Sequence, residues 1–209
     1  MWSLPNTATE QPGDVSVRPV VLALAGSLRR RSYNKQLLAA AELHARPTLS
    51  IRIYEDLGSV PLFNEDLEAH DPPGGVVRLA TALVQADALL IATPEYNQGL
   101  PGVLKNAIDW LSRSEPDLLD GKPTAILGAS AGPWGTRLAQ ASLRHTLTAC
   151  GAIVMPQPQI YVREAANVFD SDGALTDERL RNSLSTFIGS FQSWIEGSGR
   201  FRRRLECGA

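Results

Sequence analysis

The sequence has few cysteines, and their placement excludes several kinds of site. Its 209 residues include two cysteines, Cys150 and Cys207, which are far apart and form neither a CxxC pair nor part of a Cys/His cluster. Without such a cluster no zinc or other metal site is predicted. This cysteine usage fits a reducing compartment, and we expect a cytoplasmic protein.

Long apolar runs are also missing. No stretch approaches the ~18 to 20 apolar residues that a helix needs to cross a bilayer. The polar, proline-bearing first 19 residues lack the basic n-region and apolar h-region of a signal peptide. We therefore expect a soluble protein without a membrane partner.

Acidic and basic residues are nearly balanced in number, with 22 Asp and Glu against 20 Lys and Arg. The formal net charge of −2 and the pI of about 5.9 create no global field that would attract nucleic acid, so no nucleic-acid partner is expected. One short stretch is basic, with arginines at 200, 202, 203 and 204. We interpret it as a solvated tail, with phosphate or partner binding as the alternative.

What is present has the size and composition of one α/β domain. Hydrophobic residues make up 44% and charged residues 20% of the chain, which are ordinary globular values. We predict a folded domain at residues 19–196, a flexible leader at 1–18 and a basic flexible tail at 197–209. No internal repeat or low-complexity tract interrupts it.

Strand and helix patterns alternate along this domain. Apolar runs at Val20–Ala25, 88–93, Pro123–Ala129 and 152–155 are typical of buried parallel strands, and 49–54 alternates like a less buried one. Helical spacing predicts helices at 34–45, 76–85, from Pro101 onward, at 136–149 and from a Thr176 cap to Ile195. The proline-bearing segment 58–75 is expected to form a surface loop beside a site. This alternation predicts a doubly wound parallel sheet.

The loop after the first strand has the composition of a phosphate site. Residues 26–34 read GSLRRRSYN, which places hydroxyls, cations and an amide where a helix begins. Ser27, Ser32 and Asn34 can donate hydrogen bonds, and Arg29, or secondarily Arg31, can add a charged fork. The alternative is a capped helix with solvated arginines. Since GxGxxG and the nucleotide-hydrolysing P-loop pattern are absent, a mononucleotide fits better than a dinucleotide.

The loops after the third and fourth strands could hold a flat ring. Residues 93–102 read TPEYNQGLPG, a rigid turn whose backbone groups can pair with the polar edge of a heterocycle while Tyr96 covers part of its face. Residues 130–136 read SAGPWGT, where small residues would let the backbone approach a ring. Ordinary turns are the alternative for both loops.

Together these segments resemble the NADPH-dependent FMN reductase family over roughly residues 20–195. GSLRRRSYN is similar to the family's GSxRxxSxN, and PEYNQGLPGVLKNAIDWL at 94–111 is similar to its PEYNxxxPxxLKNAxDW. The resemblance implies a flavodoxin-like, five-stranded sheet in the order 2-1-3-4-5, with helices on both faces and bound FMN. It assigns the phosphate to Ser27, Arg29, Ser32 and Asn34, the flavin ring to Pro94, Glu95, Tyr96 and Asn97, and the third loop to Ser130, Gly132 and Gly135.

The same resemblance implies an activity and an assembly. Hydride would pass from NADPH, with NADH possible, through FMN to quinones, free flavin, chromate or azo compounds by a ping-pong mechanism. Because the flavin does the chemistry, no catalytic residue is nominated, and His44, His70 and His145 have no motif partner. A homodimer or homotetramer is implied, with the helix carrying Lys105, Asn106 and Trp110 near the flavin and the interface.

Two alternatives stay open at this point. A flavodoxin-type electron carrier would bind FMN without reacting with nicotinamide, although the near-neutral charge does not favour it. A flavin-binding sensor is the other, with the bulky Trp134 blocking the acceptor site.

Overall fold

The computed structural model describes residues 1–2, 18–69 and 71–199. Most of the predicted leader, His70 and the tail arginines lie outside the described residues. Trp2 is buried, and its carbonyl accepts a hydrogen bond of 2.8 Å from the Glu115 N–H. The first two residues therefore pack on the domain.

Six strands form one parallel sheet: β1 (Val20–Ala25), β2 (Ser50–Tyr54), β3 (Ala88–Ala92), β4 (Pro123–Ala129), β5 (Ile153–Val154) and β6 (Ile160–Val162). The central strands are buried on both faces. In β1, Val21 and Ala23 belong to one core cluster, and Leu22 and Leu24 to the other. The predicted order 2-1-3-4-5 is confirmed.

The fifth position of the sheet differs from the prediction of one strand at 152–155. It holds two short strands, with β5 beside the start of β4 and β6 beside its end. Pro156 and Pro158 lie between them, and proline has no N–H to contribute to a ladder. The described part of the chain therefore contributes six strands to five positions of the sheet.

The helices are α1 (Tyr33–Ala45), α2 (Glu65–Glu68), α3 (Gly74–Val84), α4 (Gly102–Leu111), α5 (Arg137–Ala149) and α6 (Glu178–Gly197). The core cluster on one face includes apolar residues of α1 and α6, and that on the other includes those of α3, α4 and α5. The prediction of helices on both faces is confirmed. None of the described helices is long and apolar enough to span a bilayer.

Two local predictions need correction. The segment 58–75, expected to be a loop, contains the short helix α2, whose cap Asn64 accepts a hydrogen bond from the Asp66 N–H. The cap of α6 is Asp177, whose carboxylate accepts from the Leu180 N–H at 2.6 Å. The Thr176 hydroxyl instead donates to the Val168 carbonyl. An aspartate at this position also favours the positive end of the helix.

Candidate functional site

Three loops meet at the carboxyl edge of the sheet. Loop 1 (residues 26–32) follows β1, loop 2 (93–101) follows β3 and loop 3 (130–136) follows β4, and these strands are neighbours. The loops surround a cleft of about 440 Å³. It is lined by Ser27, Arg29, Ser32, Tyr33, Asn34, Pro94, Glu95, Tyr96, Ala129, Ser130 and Ala131. The structure therefore brings together predicted site residues from all three loops.

In loop 1 the start of α1 is fixed by two buried polar residues. The Ser32 hydroxyl caps the helix by accepting a hydrogen bond from the Asn34 N–H at 3.2 Å. The Asn34 side chain exchanges two 2.9 Å hydrogen bonds with the backbone of Ala129, the last residue of β4. Asn34 therefore joins the start of α1 to the end of β4, and both residues line the cleft.

Arg29 is held at the cleft by an aromatic ring. Its guanidinium carbon lies 5.3 Å from the ring centroid of Tyr33, within the range of a cation–π contact. The side chain is otherwise exposed to solvent. Among the described residues Arg29 has no carboxylate partner, so its positive charge near the positive end of α1 forms an arrangement that attracts anions.

Loop 2 contains a tight turn closed by Tyr96 and Gly99, whose backbones exchange hydrogen bonds of 3.2 and 3.0 Å. Its central residues, Asn97 and Gln98, have φ angles of 50° and 64°. Two consecutive positive values are those of a type I′ turn, which asparagine tolerates well. Asn97 shapes the turn but does not line the cleft. The Tyr96 hydroxyl donates to Ser27 Oγ at 3.4 Å and so connects loops 1 and 2.

Glu95 lines the cleft, but its carboxylate is engaged elsewhere. Oε2 accepts hydrogen bonds from the N–H groups of Leu138 at 2.8 Å and Ala139 at 3.0 Å. These amides lie in the first turn of α5, where N–H groups lack helical partners and the dipole favours a negative charge. Glu95 therefore fixes loop 2 against the helix that follows loop 3.

Loop 3 is anchored on β6. The Ser130 N–H donates to the Val162 carbonyl at 2.9 Å, and its hydroxyl accepts from the Gly132 N–H at 3.1 Å. Gly135 has a φ of 70°, and a Cβ at this position would lie 3.2 Å from that of Tyr161. Gly135 is therefore required by the course of the loop, whereas a Cβ at Gly132 would make only an ordinary contact of 3.5 Å with Ser130 Oγ. Neither glycine lines the cleft.

The predicted α4 residues Lys105, Asn106 and Trp110 make contacts within the fold and are not among the residues that line the cleft. Asn106 accepts from the Phe63 N–H at 2.7 Å and donates to the Pro61 carbonyl at 2.9 Å. Trp110 is fully buried and donates to the same carbonyl at 2.8 Å. Lys105 pairs with Asp109 at 2.6 Å. The contacts of Asn106 and Trp110 hold segment 61–63 on α4, whereas the ion pair of Lys105 lies within the helix.

The remaining candidates lie away from the lining. Trp134 is 80% exposed and is not among the residues that line the cleft. His44 and His145 are outside the lining as well, and His70 lies outside the described residues.

The residues missed by sequence reasoning are Tyr33, Ala129 and Ala131, which line the cleft. Tyr33 had a signal, because it stands between the capping Ser32 and Asn34 inside the loop 1 motif. Ala131 had one too, because it lies in the small-residue segment 130–136. Ala129 had none, since only the sheet order brings the end of β4 next to loop 1.

The chain is similar to known proteins along most of its length. The family model for NADPH-dependent FMN reductase matches residues 19–167. An NAD(P)H-dependent FMN reductase of Pseudomonas aeruginosa is 43% identical over 175 residues, which are 84% of this chain and 94% of that protein. A 2-hydroxy-1,4-benzoquinone reductase of Burkholderia is 38% identical over 176 residues, 84% of this chain and 95% of that protein.

A solved structure shows the same likeness. The flavoenzyme NAD(P)H:(acceptor) oxidoreductase FerB of Paracoccus denitrificans superposes with a TM-score of 0.80 at 38% identity, covering 86% of this chain and 98% of that one. The flavodoxin-like fold is thereby confirmed. FMN and the electron donor NAD(P)H are the cofactor pair of the matched family. The chain belongs to the NADPH-dependent FMN reductase family and is an oxidoreductase.

Proposed function

We propose that this chain binds FMN in the cleft between loops 1, 2 and 3 and passes hydride from NADPH, or NADH, through it to small acceptors. The acceptors proposed are quinones, free flavin, chromate or azo compounds. The donor and the acceptor react in turn, by a ping-pong mechanism.

The observation that carries this proposal is the convergence of the three loops on one cleft. Its volume of about 440 Å³ lies in the range of roughly 300–1,000 Å³ that cofactor sites occupy. Arg29, the hydroxyls of Ser27 and Ser32, and the start of α1 offer a cation, donors and a helix dipole to a phosphate. Pro94 and Tyr96 offer apolar surface to a flat ring. The residues present fit FMN.

When bound, FMN supplies the redox chemistry, since it accepts a hydride and releases two electrons. The protein's part is binding and orientation. Arg29 would pair with the phosphate and the Tyr96 ring would cover part of the flavin, while Asn34 holds the start of α1 in place through Ala129. The backbone of loop 2 would pair with the polar edge of the ring and so tune its electronics. No side chain is assigned a proton-transfer role.

The benzoquinone reductase among the relatives supports quinones as the acceptor class.

We further propose a cytoplasmic homodimer or homotetramer. Support comes from exposed apolar side chains near the cleft: Tyr96 is 54%, Leu138 51% and Trp134 80% exposed. Such side chains gather where a partner covers them. Light scattering of the purified protein tests the assembly, and a monomer would contradict it.

An absorbance spectrum followed by anaerobic addition of NADPH tests the function. We expect flavin bands that bleach within seconds and return on addition of a quinone, with parallel double-reciprocal plots for the two substrates. Flavin bands that persist with NADPH and NADH would instead favour an electron carrier. A colourless protein that FMN does not reconstitute would overturn the proposal.

A further inference from the structure

Three consecutive arginines stand in loop 1, and one of them is held in a defined place. Arg29 lies over the Tyr33 ring, 5.3 Å from its centroid. Arg30 and Arg31 are exposed, and neither makes a hydrogen bond, ion pair or ring contact with another described residue. The sequence motif favours Arg29 among these three cations, and the ring contact distinguishes the same residue.

The ring that holds Arg29 is itself anchored in the core. Tyr33 is the first residue of α1, and its ring also stacks on that of Phe169, at 6.2 Å between centroids and 16° between planes. Phe169 is buried and pairs through its backbone with Leu175. A series of three contacting groups, the Arg29 guanidinium and the Tyr33 and Phe169 rings, thus connects the cleft to the core on the α1 and α6 face.

We propose that Tyr33 is a positioning residue for the flavin phosphate, acting through Arg29. This inference rests on the proposed function, in which Arg29 pairs with that phosphate. A free arginine side chain loses much rotational freedom when it binds an anion, and one already held over a ring loses less. Tyr33 therefore raises affinity for phosphorylated FMN but not for riboflavin, which has the same ring system and no phosphate.

Flavin binding to the apoprotein tests this directly, by titration with FMN and with riboflavin. The variants are Tyr33→Leu, Tyr33→Phe, Arg29→Ala and the double variant Arg29→Ala/Tyr33→Leu, with Arg30→Ala as the matched control. A cation–π contact at an exposed site corresponds to about a two- to fivefold change in Kd. We expect Tyr33→Leu to weaken FMN binding by about that factor and to leave riboflavin binding unchanged.

The other variants separate positioning from packing. Tyr33→Phe keeps the ring and should retain wild-type affinity, as should Arg30→Ala. The double variant should bind FMN no more weakly than Arg29→Ala, because Tyr33 has nothing left to position. Equal loss of FMN and riboflavin binding in Tyr33→Leu, a loss in Tyr33→Phe as large as in Tyr33→Leu, or multiplied losses in the double variant would each overturn the inference.

A second measurement does not depend on how the leucine variant folds. In the NMR spectrum of the wild-type apoprotein, the ring current of Tyr33 should shift the Arg29 side-chain protons upfield, and those of Arg30 should stay at their usual positions. Identical shifts for the two arginines overturn the inference. If the wild-type protein binds no FMN at all, the proposed function fails, whereas the outcomes above concern Tyr33 alone.

Discussion

Asn34 and Ala129 are 95 residues apart in the chain, yet the side-chain amide of one exchanges two 2.9 Å hydrogen bonds with the backbone of the other. Both residues are buried. Asparagine is suited to this contact because its side chain carries a donor and an acceptor side by side, like a peptide group. The pair fixes the start of α1 relative to the end of β4, and these are two of the walls of the cleft.

Replacing Asn34 by alanine should lower the free energy of unfolding by about 2–4 kcal/mol, because the N–H and C=O of Ala129 lose their buried partners. Urea unfolding of the flavin-free protein measures this. Asn34→Asp should also destabilise, since a carboxylate can accept from the Ala129 N–H but cannot donate to its carbonyl. Asn182→Ala, on the exposed side of α6, is the control and should change stability by less than about 0.5 kcal/mol. Equal stability of the Asn34→Ala and Asn182→Ala variants would contradict the assignment.

Glu95 should behave as a helix cap when it is substituted. Glu95→Ala removes the acceptor for two N–H groups of α5 and should cost about 1–2 kcal/mol of unfolding free energy. Glu95→Gln keeps an acceptor and loses only the charge at the helix start, so about 0.3–1 kcal/mol is expected. Chemical denaturation of both variants without flavin tests this order. An alanine variant as stable as the wild type would show that the two hydrogen bonds do not hold α5.

Any side chain at position 135 should lower the stability of the protein. Its φ of 70° is costly for an L-residue, and a Cβ would press against that of Tyr161. Gly135→Ala should therefore destabilise the protein by about 1–2 kcal/mol. Gly102→Ala is the matched control, because a Cβ there meets no atom within 4 Å and its φ is not positive. Thermal unfolding should show a lower Tm for the first variant and an equal or higher Tm for the second.

Much of the fold could be predicted because its signals are local. The apolar runs of β1 and β4 were found with their observed bounds, since a strand buried on both faces needs such a run. The split of the fifth position was not found, although Pro156 and Pro158 stand in the sequence, because pairing with both halves of β4 depends on the sheet as a whole.

The candidate site likewise has features that local sequence predicts and features that it does not. The three loops were identified because their residues lie at strand ends, and most of the predicted side chains line the cleft. Partners were not predictable: Glu95 binds N–H groups 43 and 44 residues away, and local sequence gives no sign of that contact. That these residues hold FMN stays a prediction, which the binding experiments test.

Glu68 gives the protein a part of its stability that depends on pH. Its side chain is 5% exposed, and the Arg113 guanidinium donates to both carboxylate oxygens at 3.1–3.2 Å. Hydrogen bonds from Arg113, more than those from the Met1 amino group, hold the pKa of Glu68 below its usual range. Because the folded-state pKa is lowered, the unfolded chain binds more protons as the solution is acidified.

The stabilisation by Glu68 should therefore be fully present above the ordinary glutamate pKa and disappear as the pH falls through the lowered value. Urea unfolding from about pH 7 to about pH 3 should show wild type more stable than Glu68→Gln at neutral pH, with the difference shrinking in acid. The control is Glu55→Gln, since Glu55 pairs with Lys35 at the surface, where solvent screens the contact. A Glu68→Gln difference that is constant with pH would mean that packing, and not the charge, stabilises this corner of the domain.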